Sequence, residues 1–66
     1  MSRIYVAYDE RALQDVSKAS VIEVGGSLEQ VKGKGRVVYS YNRTGKFDEE
    51  TGIELVNDEK LEYDGK

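Results

Sequence analysis

The sequence predicts an α+β domain in which one short helix packs on a mostly antiparallel sheet of four to five strands. Three observations lead to this prediction. Segments of β-forming residues alternate with a period of two, another segment has apolar residues at helical spacing, and seven glycines without any proline supply the turns. A small all-β barrel with an inserted helix is the alternative fold. We expect the 66 residues to form a single small domain over residues 1–66.

Two short strands are predicted in the first half of the chain. Residues 3–8 are rich in β-forming residues, and Ile4, Val6 and Tyr8 would form the more apolar face of the first strand. Residues 21–24 contain three β-branched side chains and predict a second, buried strand, which a pair of glycines ends.

Helical signals are found in two segments. Asp9 is suited to cap a helix over residues 10–19, and we expect Leu13 and Val16 to dock this helix on the sheet. The apolar positions with helical spacing are Ala12, Leu13, Val16 and Ala19. Residues 27–31 would suit a helical turn, but the glycines that follow leave little room. We therefore predict an irregular conformation for this second segment.

The clearest strand signal covers residues 36–43. Val37, Tyr39 and Tyr41 alternate with Val38 and with polar residues, so these three side chains should share one face of the strand. Aromatic and β-branched residues are enriched in strands because they pack well on a pleated surface. We therefore expect this segment to be a main strand of the sheet.

The C-terminal part is predicted to form a meander with turns at Gly45 and Gly52, since glycine readily adopts the positive φ of a tight turn. The predicted strands are residues 36–43, 46–50 and 53–57. The middle segment has only Phe47 to bury, so it is either a short edge strand or part of a long hairpin loop. Leu61 and Tyr63 would add a last edge strand, or residues 57–66 would form a loosely held acidic tail. The sequence leaves these two alternatives open.

Composition excludes several classes of function. The chain has no Cys and no His, which removes disulfides, thiolate metal ligands and the commonest general base. No apolar run approaches the roughly 20 residues that span a bilayer, and the N-terminal residues lack the apolar stretch of a signal peptide. A chain this short can hardly enclose the ~300 Å³ of a small-molecule site. We therefore expect a cytoplasmic protein that is not an enzyme, with no membrane association, no cofactor and no metal.

Two segments superficially suggest ligand sites. Residues 32–36 alternate basic residues with glycines, but Gly35 stands where a phosphate-binding loop needs Ser or Thr. The acidic residues that begin at Asp48 suggest a calcium loop, but Gly52 falls at the fifth position, where an EF-hand needs a ligand. We predict ordinary turns at both places.

Charge is strongly segregated along the chain. Residues 32–46 contain five basic side chains and no acidic one, whereas residues 47–66 contain eight acidic and two basic side chains. Opposite charges on paired strands attract each other. We therefore expect the two blocks to compensate each other across a hairpin rather than to leave an open, positively charged face.

The resulting functional prediction is a small, non-catalytic intracellular interaction module. It would bind another protein or itself, act as a regulator or inhibitor, and form a homodimer, because a small core gains from self-association and edge strands can pair with a partner. Acidic residues would face a basic protein surface.

The alternative is a single-stranded nucleic-acid-binding domain. Basic side chains interleaved with tyrosines can hold a single strand by charge and by base stacking. The candidate residues are Lys32, Lys34, Arg36, Tyr39, Tyr41, Arg43 and Lys46. The sequence pI of about 4.9 disfavours this alternative, since nucleic-acid-binding domains usually lie above about 9.

Overall fold

A computed structural model describes residues 2–65 and shows one open sheet of four antiparallel strands with a single short α-helix. Met1 and Lys66 lie outside the described residues. The elements are β1 (Arg3–Tyr8), β2 (Val21–Gly25), α1 (Leu28–Val31), β3 (Val37–Phe47) and β4 (Glu54–Tyr63), with 3₁₀ turns at Glu10–Leu13 and Val16–Lys18. The strand order is β2-β1-β3-β4. The predicted α+β fold is confirmed, and the sheet does not close into the alternative barrel.

The two central strands, β1 and β3, define the two faces of the sheet. They pair in continuous antiparallel register from Arg3 opposite Asn42 to Tyr8 opposite Val37. Residues directly opposite each other share a face, and side chains alternate between faces along each strand. We call the face that carries Tyr8 the tyrosine face, and the other face, which α1 covers, the helix face. On β1 and β3 the tyrosine face consists of Ile4, Val6, Tyr8, Val37, Tyr39 and Tyr41.

The core on the helix face is built from small side chains. Ala7, Val31 and Val38 are fully buried there, and partly buried larger side chains pack around them. The other buried hydrophobic side chains among the described residues are Ala12 in the first 3₁₀ turn and, on the tyrosine face, Val6 and Val37. Since all of these are Val or Ala, each contributes little apolar area to the core.

The predicted helix over residues 10–19 is wrong. Two 3₁₀ turns take its place, because Asp15 has an extended backbone and its side chain accepts a hydrogen bond from the backbone N–H of Ser17. Asp favours such local caps over helix interiors. Leu13 is 50% exposed, so the expectation that it docks a helix on the sheet is also wrong. Ala12 is the buried residue of the first turn instead.

The helix of this fold lies in the segment that was predicted to be irregular. Residues 28–31 form one turn of α-helix, and Val31 is its buried residue. The side-chain Oε1 of Gln30 accepts a hydrogen bond from the N–H of Gly26 at 2.6 Å and thereby fixes the entry into the helix. A Cβ on Gly25 would lie 3.0 Å from Val31 Cγ1, so glycine allows the close approach of α1 to β2.

Of the two alternatives for residues 46–50, the separate edge strand is wrong. β3 continues to Phe47, residues 48–53 form the hairpin loop, and a single strand, β4, returns. Residues 57–63 belong to β4. The loop between the strands is closed by the Asp48 carboxylate, which accepts hydrogen bonds from the backbone N–H groups of Glu50 and Thr51 at 2.8 and 3.0 Å. This carboxylate therefore holds a turn, as predicted.

Truncation of one buried and one exposed side chain tests this packing. We expect Val31→Ala to lower the free energy of unfolding by about 2 kcal/mol, because it opens a cavity under α1. Leu13→Ala should cost less than about 1 kcal/mol, since half of that side chain is already in water. Urea unfolding measures both values, and a larger loss for Leu13→Ala would contradict the packing described above.

Acid should destabilise the fold through carboxylates that accept hydrogen bonds. Hydrogen bonds lower the pKa of four carboxylates below their ordinary values: those of Asp9, Asp15, Asp48 and Glu54. The largest contributions come from the bonds with Arg11, Ser17, Thr51 and Arg43, respectively. A lowered folded-state pKa contributes stability that is present above the unfolded pKa and is lost as pH falls through the folded pKa.

We therefore expect the urea midpoint to fall as pH decreases below about 5. Asp48→Asn keeps an acceptor oxygen for the turn but removes one titrating group. Its stability should depend less on pH in this window than that of the wild type. Identical pH profiles for the two proteins would show that the Asp48 turn does not contribute.

Candidate functional site

Three tyrosines from two adjacent strands form a contact cluster on the tyrosine face. The rings of Tyr8 and Tyr39 meet edge to face, with centroids 6.1 Å apart and planes at 76°. The hydroxyl oxygens of Tyr8 and Tyr41 are 2.8 Å apart and form a hydrogen bond. Edge-to-face aromatic pairs and shared hydroxyl bonds restrict ring motion. The cluster is therefore a preorganised aromatic surface on β1 and β3.

Apolar side chains from both outer strands extend this surface. On β2, Val24 lies opposite Val6, and on β4, Leu61 lies opposite Tyr39. Val24 is 51% exposed and Leu61 is 53% exposed. Val21 and Val56 also lie opposite residues of this face and are exposed. Exposed apolar side chains therefore flank the tyrosine cluster on both outer strands, whereas Val6 and Val37 on the central strands are buried.

The charges on the tyrosine face are largely compensated. Arg43 Nη2 lies 2.8 Å from Glu54 Oε1 across the hairpin, in agreement with the compensation that the charge blocks predict for this residue. The hydrogen bond between the two groups raises the pKa of Arg43 and lowers that of Glu54. Burial, the hydrogen bond with Tyr8 and the nearby Glu59 raise the pKa of Tyr41, so its hydroxyl stays protonated at neutral pH.

The structure distributes the seven candidate nucleic-acid-binding residues over different surfaces. Tyr39, Tyr41 and Arg43 share the tyrosine face. The ammonium of Lys32 lies 5.4 Å from the ring centroid of Tyr63, which packs on the helix-face core.

The other basic candidates lie away from the tyrosine cluster. A Cβ on Gly65 would lie 2.6 Å from Arg36 Nε, which places the Arg36 side chain against the C-terminal segment. Lys34 and Lys46 are exposed, in the loop before β3 and near the end of β3 respectively. The tyrosines and the five basic residues therefore do not form one continuous surface.

A polar network on the helix face was not predicted from the sequence. The fully buried Ser40 Oγ accepts hydrogen bonds from Arg3 Nε and Nη2 at 3.1 and 2.9 Å and donates one to Glu62. Arg3 Nη1 also lies 2.9 Å from Asp58 Oδ2. The sequence offers one signal for this network: Arg3 and Ser40 are polar residues that alternate with apolar residues along predicted strands. Because these groups satisfy each other, we interpret the network as structural.

Two surface depressions lie outside the tyrosine cluster. One, of about 260 Å³, is lined by residues 61–64 of β4 and its end. The other, of about 340 Å³, is lined by Glu10, Arg11, Leu13 and Gln14 beside the first 3₁₀ turn. Within residues 2–65, no group of three or more acidic, His or Cys side chains is arranged to hold a metal ion. In the same range, no helix has the length and apolarity required to cross a membrane.

Comparisons with known proteins give no relative for this chain. No protein-family model matches it, and neither the curated proteins nor the solved structures contain a significant match. The function is therefore inferred from the tyrosine face itself.

The hydrogen bond between Tyr8 and Tyr41 can be tested with phenylalanine variants. Tyr41→Phe alone should lower the free energy of unfolding by about 0.5–1.5 kcal/mol, because it leaves the Tyr8 hydroxyl without this partner. In the double variant Tyr8→Phe/Tyr41→Phe, the loss should be smaller than the sum of the single losses. Additive losses in a double-mutant cycle would show that the two hydroxyls do not interact.

Proposed function

We propose that this chain is a non-catalytic protein-interaction module that binds another protein, or a second copy of itself, through the tyrosine face. The observation that carries the proposal is the cluster of Tyr8, Tyr39 and Tyr41 flanked by exposed apolar side chains, which include the half-exposed Val24 and Leu61. Large exposed apolar patches mark interaction sites, and Tyr is enriched at such sites. We further propose that this module acts in the cytoplasm as a regulator or inhibitor of its partner.

The regulatory part of the proposal is supported by the distribution of acidic side chains. Asp48, Glu49 and Glu50 lie together in the loop between β3 and β4, away from the tyrosine cluster. Complementary charge around an apolar contact selects partners and accelerates association. A partner with a basic rim beside an apolar patch would fit both features.

Nucleic acid fits this surface less well than protein does. Arg43, the cation that shares the face with Tyr41, already pairs with Glu54, and the Glu59 carboxylate lies near the Tyr41 hydroxyl. Binding of nucleic acid depends mainly on Lys and Arg contacts with phosphates. The charges on the tyrosine face therefore favour a protein over a polyanion.

Matched variants of β4 test the use of the tyrosine face. Leu61 lies on this face, whereas Leu55 alternates to the other face of the same strand, and the two side chains are 53% and 47% exposed. We immobilise wild type, Leu61→Lys and Leu55→Lys and expose each to nuclease-treated lysate of the native host. Either a host protein, or free copies of this chain added to the lysate, should bind to wild type and to Leu55→Lys but not to Leu61→Lys. Equal binding to all three would contradict the proposal.

A nucleic-acid assay covers the alternative function. Anisotropy with labelled single-stranded DNA and RNA at physiological ionic strength should show no tight binding. If tight, salt-sensitive binding occurs, and if Tyr41→Ala weakens it by about 1–3 kcal/mol, the single-strand-binding alternative replaces our proposal.

A further inference from the structure

We infer that the occupant of the tyrosine face is a second copy of this chain, packed face to face in a symmetric dimer. This inference rests on the proposed function and names the partner of the same surface. Two sheets that pack in this way lie about 10 Å apart, and their inner side chains interdigitate to form a shared core. The tyrosine face of each copy would then become an interior surface.

The first support is the small core of the single chain. Among the described residues no Leu, Ile or Phe is buried, and the buried hydrophobic residues are Val and Ala only. Domains shorter than about 70–80 residues usually need an additional stabilising element, and this chain has no Cys for a disulfide. A second copy is present wherever the chain is made, so it can provide this element once the chain concentration is high enough.

The second support is the area that the face provides. About eight apolar or aromatic side chains remain partly or half exposed on the four strands of this face: Ile4, Tyr8, Val21, Val24, Tyr39, Tyr41, Val56 and Leu61. At about 50 Å² each, they offer on the order of 400 Å² of apolar surface per copy. Since apolar atoms form about 60% of an interface, a face-to-face pair would bury about 1,300 Å². Stable, specific interfaces begin at about this size.

The third support is that the polar groups of the cluster tolerate burial. The hydroxyls of Tyr8 and Tyr41 already bond to each other, so a covering partner would not leave them without a hydrogen bond. A symmetric interface also requires a surface that does not repel itself. The pairing of Arg43 with Glu54 meets this requirement for two of the charges on the face.

Sedimentation measures the dimer directly. We expect wild type at 1–500 µM to sediment as a species of twice the 7.4 kDa chain mass at the upper concentrations. Leu61→Lys would place two like charges in the shared core and should raise the dimer dissociation constant at least tenfold. Leu55→Lys, which makes the same change on the opposite face of β4, should leave the constant within about twofold of wild type. Circular dichroism confirms that each variant is folded.

The outcomes separate the inference from the proposed function. A wild-type mass of 7.4 kDa at every concentration overturns the dimer. If Leu61→Lys nevertheless loses a captured host protein that Leu55→Lys retains, the proposed function stands with a different occupant. If Leu61→Lys and Leu55→Lys change the dimer dissociation constant equally, the interface lies elsewhere and the inference is also overturned. If Leu61→Lys does not fold, Val24→Lys tests the same face from β2 with the same criterion.

Discussion

The position of β4 depends on a contact made by the buried Ser40 hydroxyl. The extent of the tyrosine face depends on the same contact, because β4 forms one side of that face. The Ser40 hydroxyl lies on the central strand β3, accepts hydrogen bonds from Arg3 of β1 and donates one to Glu62 of β4. One small polar group thus connects three strands on the helix face. The backbone ladder between β3 and β4 shifts register at three places, so it fixes β4 less strictly than the regular ladder between β1 and β3 does. Side-chain contacts across the strands therefore contribute more to fixing the register between β3 and β4.

The irregular register of β4 decides which charges reach which face. Asp58 has a φ of 55°, a left-handed conformation that Asp tolerates better than most residues, and the strand bulges around it. This conformation allows the Asp58 carboxylate to meet Arg3 on the helix face, while the next residue, Glu59, lies near Tyr41 on the other face. In a regular strand Val56 and Leu61, which are five residues apart, would point to opposite faces. The bulge places both of them opposite residues of the tyrosine face.

Residue alternation was sufficient to predict β1, the first part of β3 and part of the candidate site. The period of two in residues 3–8 and 36–43 correctly placed Tyr39 and Tyr41 on one face of β3, because both segments pair in continuous register. Their contact with Tyr8 could not be predicted, since it depends on which residues of β1 and β3 lie opposite each other. The Arg3–Ser40 contact escaped prediction for the same reason: polar residues on an inward face become interpretable only when their partners are known.

Part of the tyrosine face is exposed because residues 10–19 do not form the helix that their apolar spacing predicts. A sheet has two faces, and residues 10–19 had the apolar spacing to form a helix of about 15 Å, long enough to cross several strands. Asp15 prevents this helix, because its carboxylate caps a new 3₁₀ turn at Ser17. The one remaining α-helix, α1, is a single turn and covers only the helix face through Val31. The aspartate that interrupts the helical segment thus leaves the apolar side chains of the outer strands on the tyrosine face, such as Val24 and Leu61, exposed to a partner.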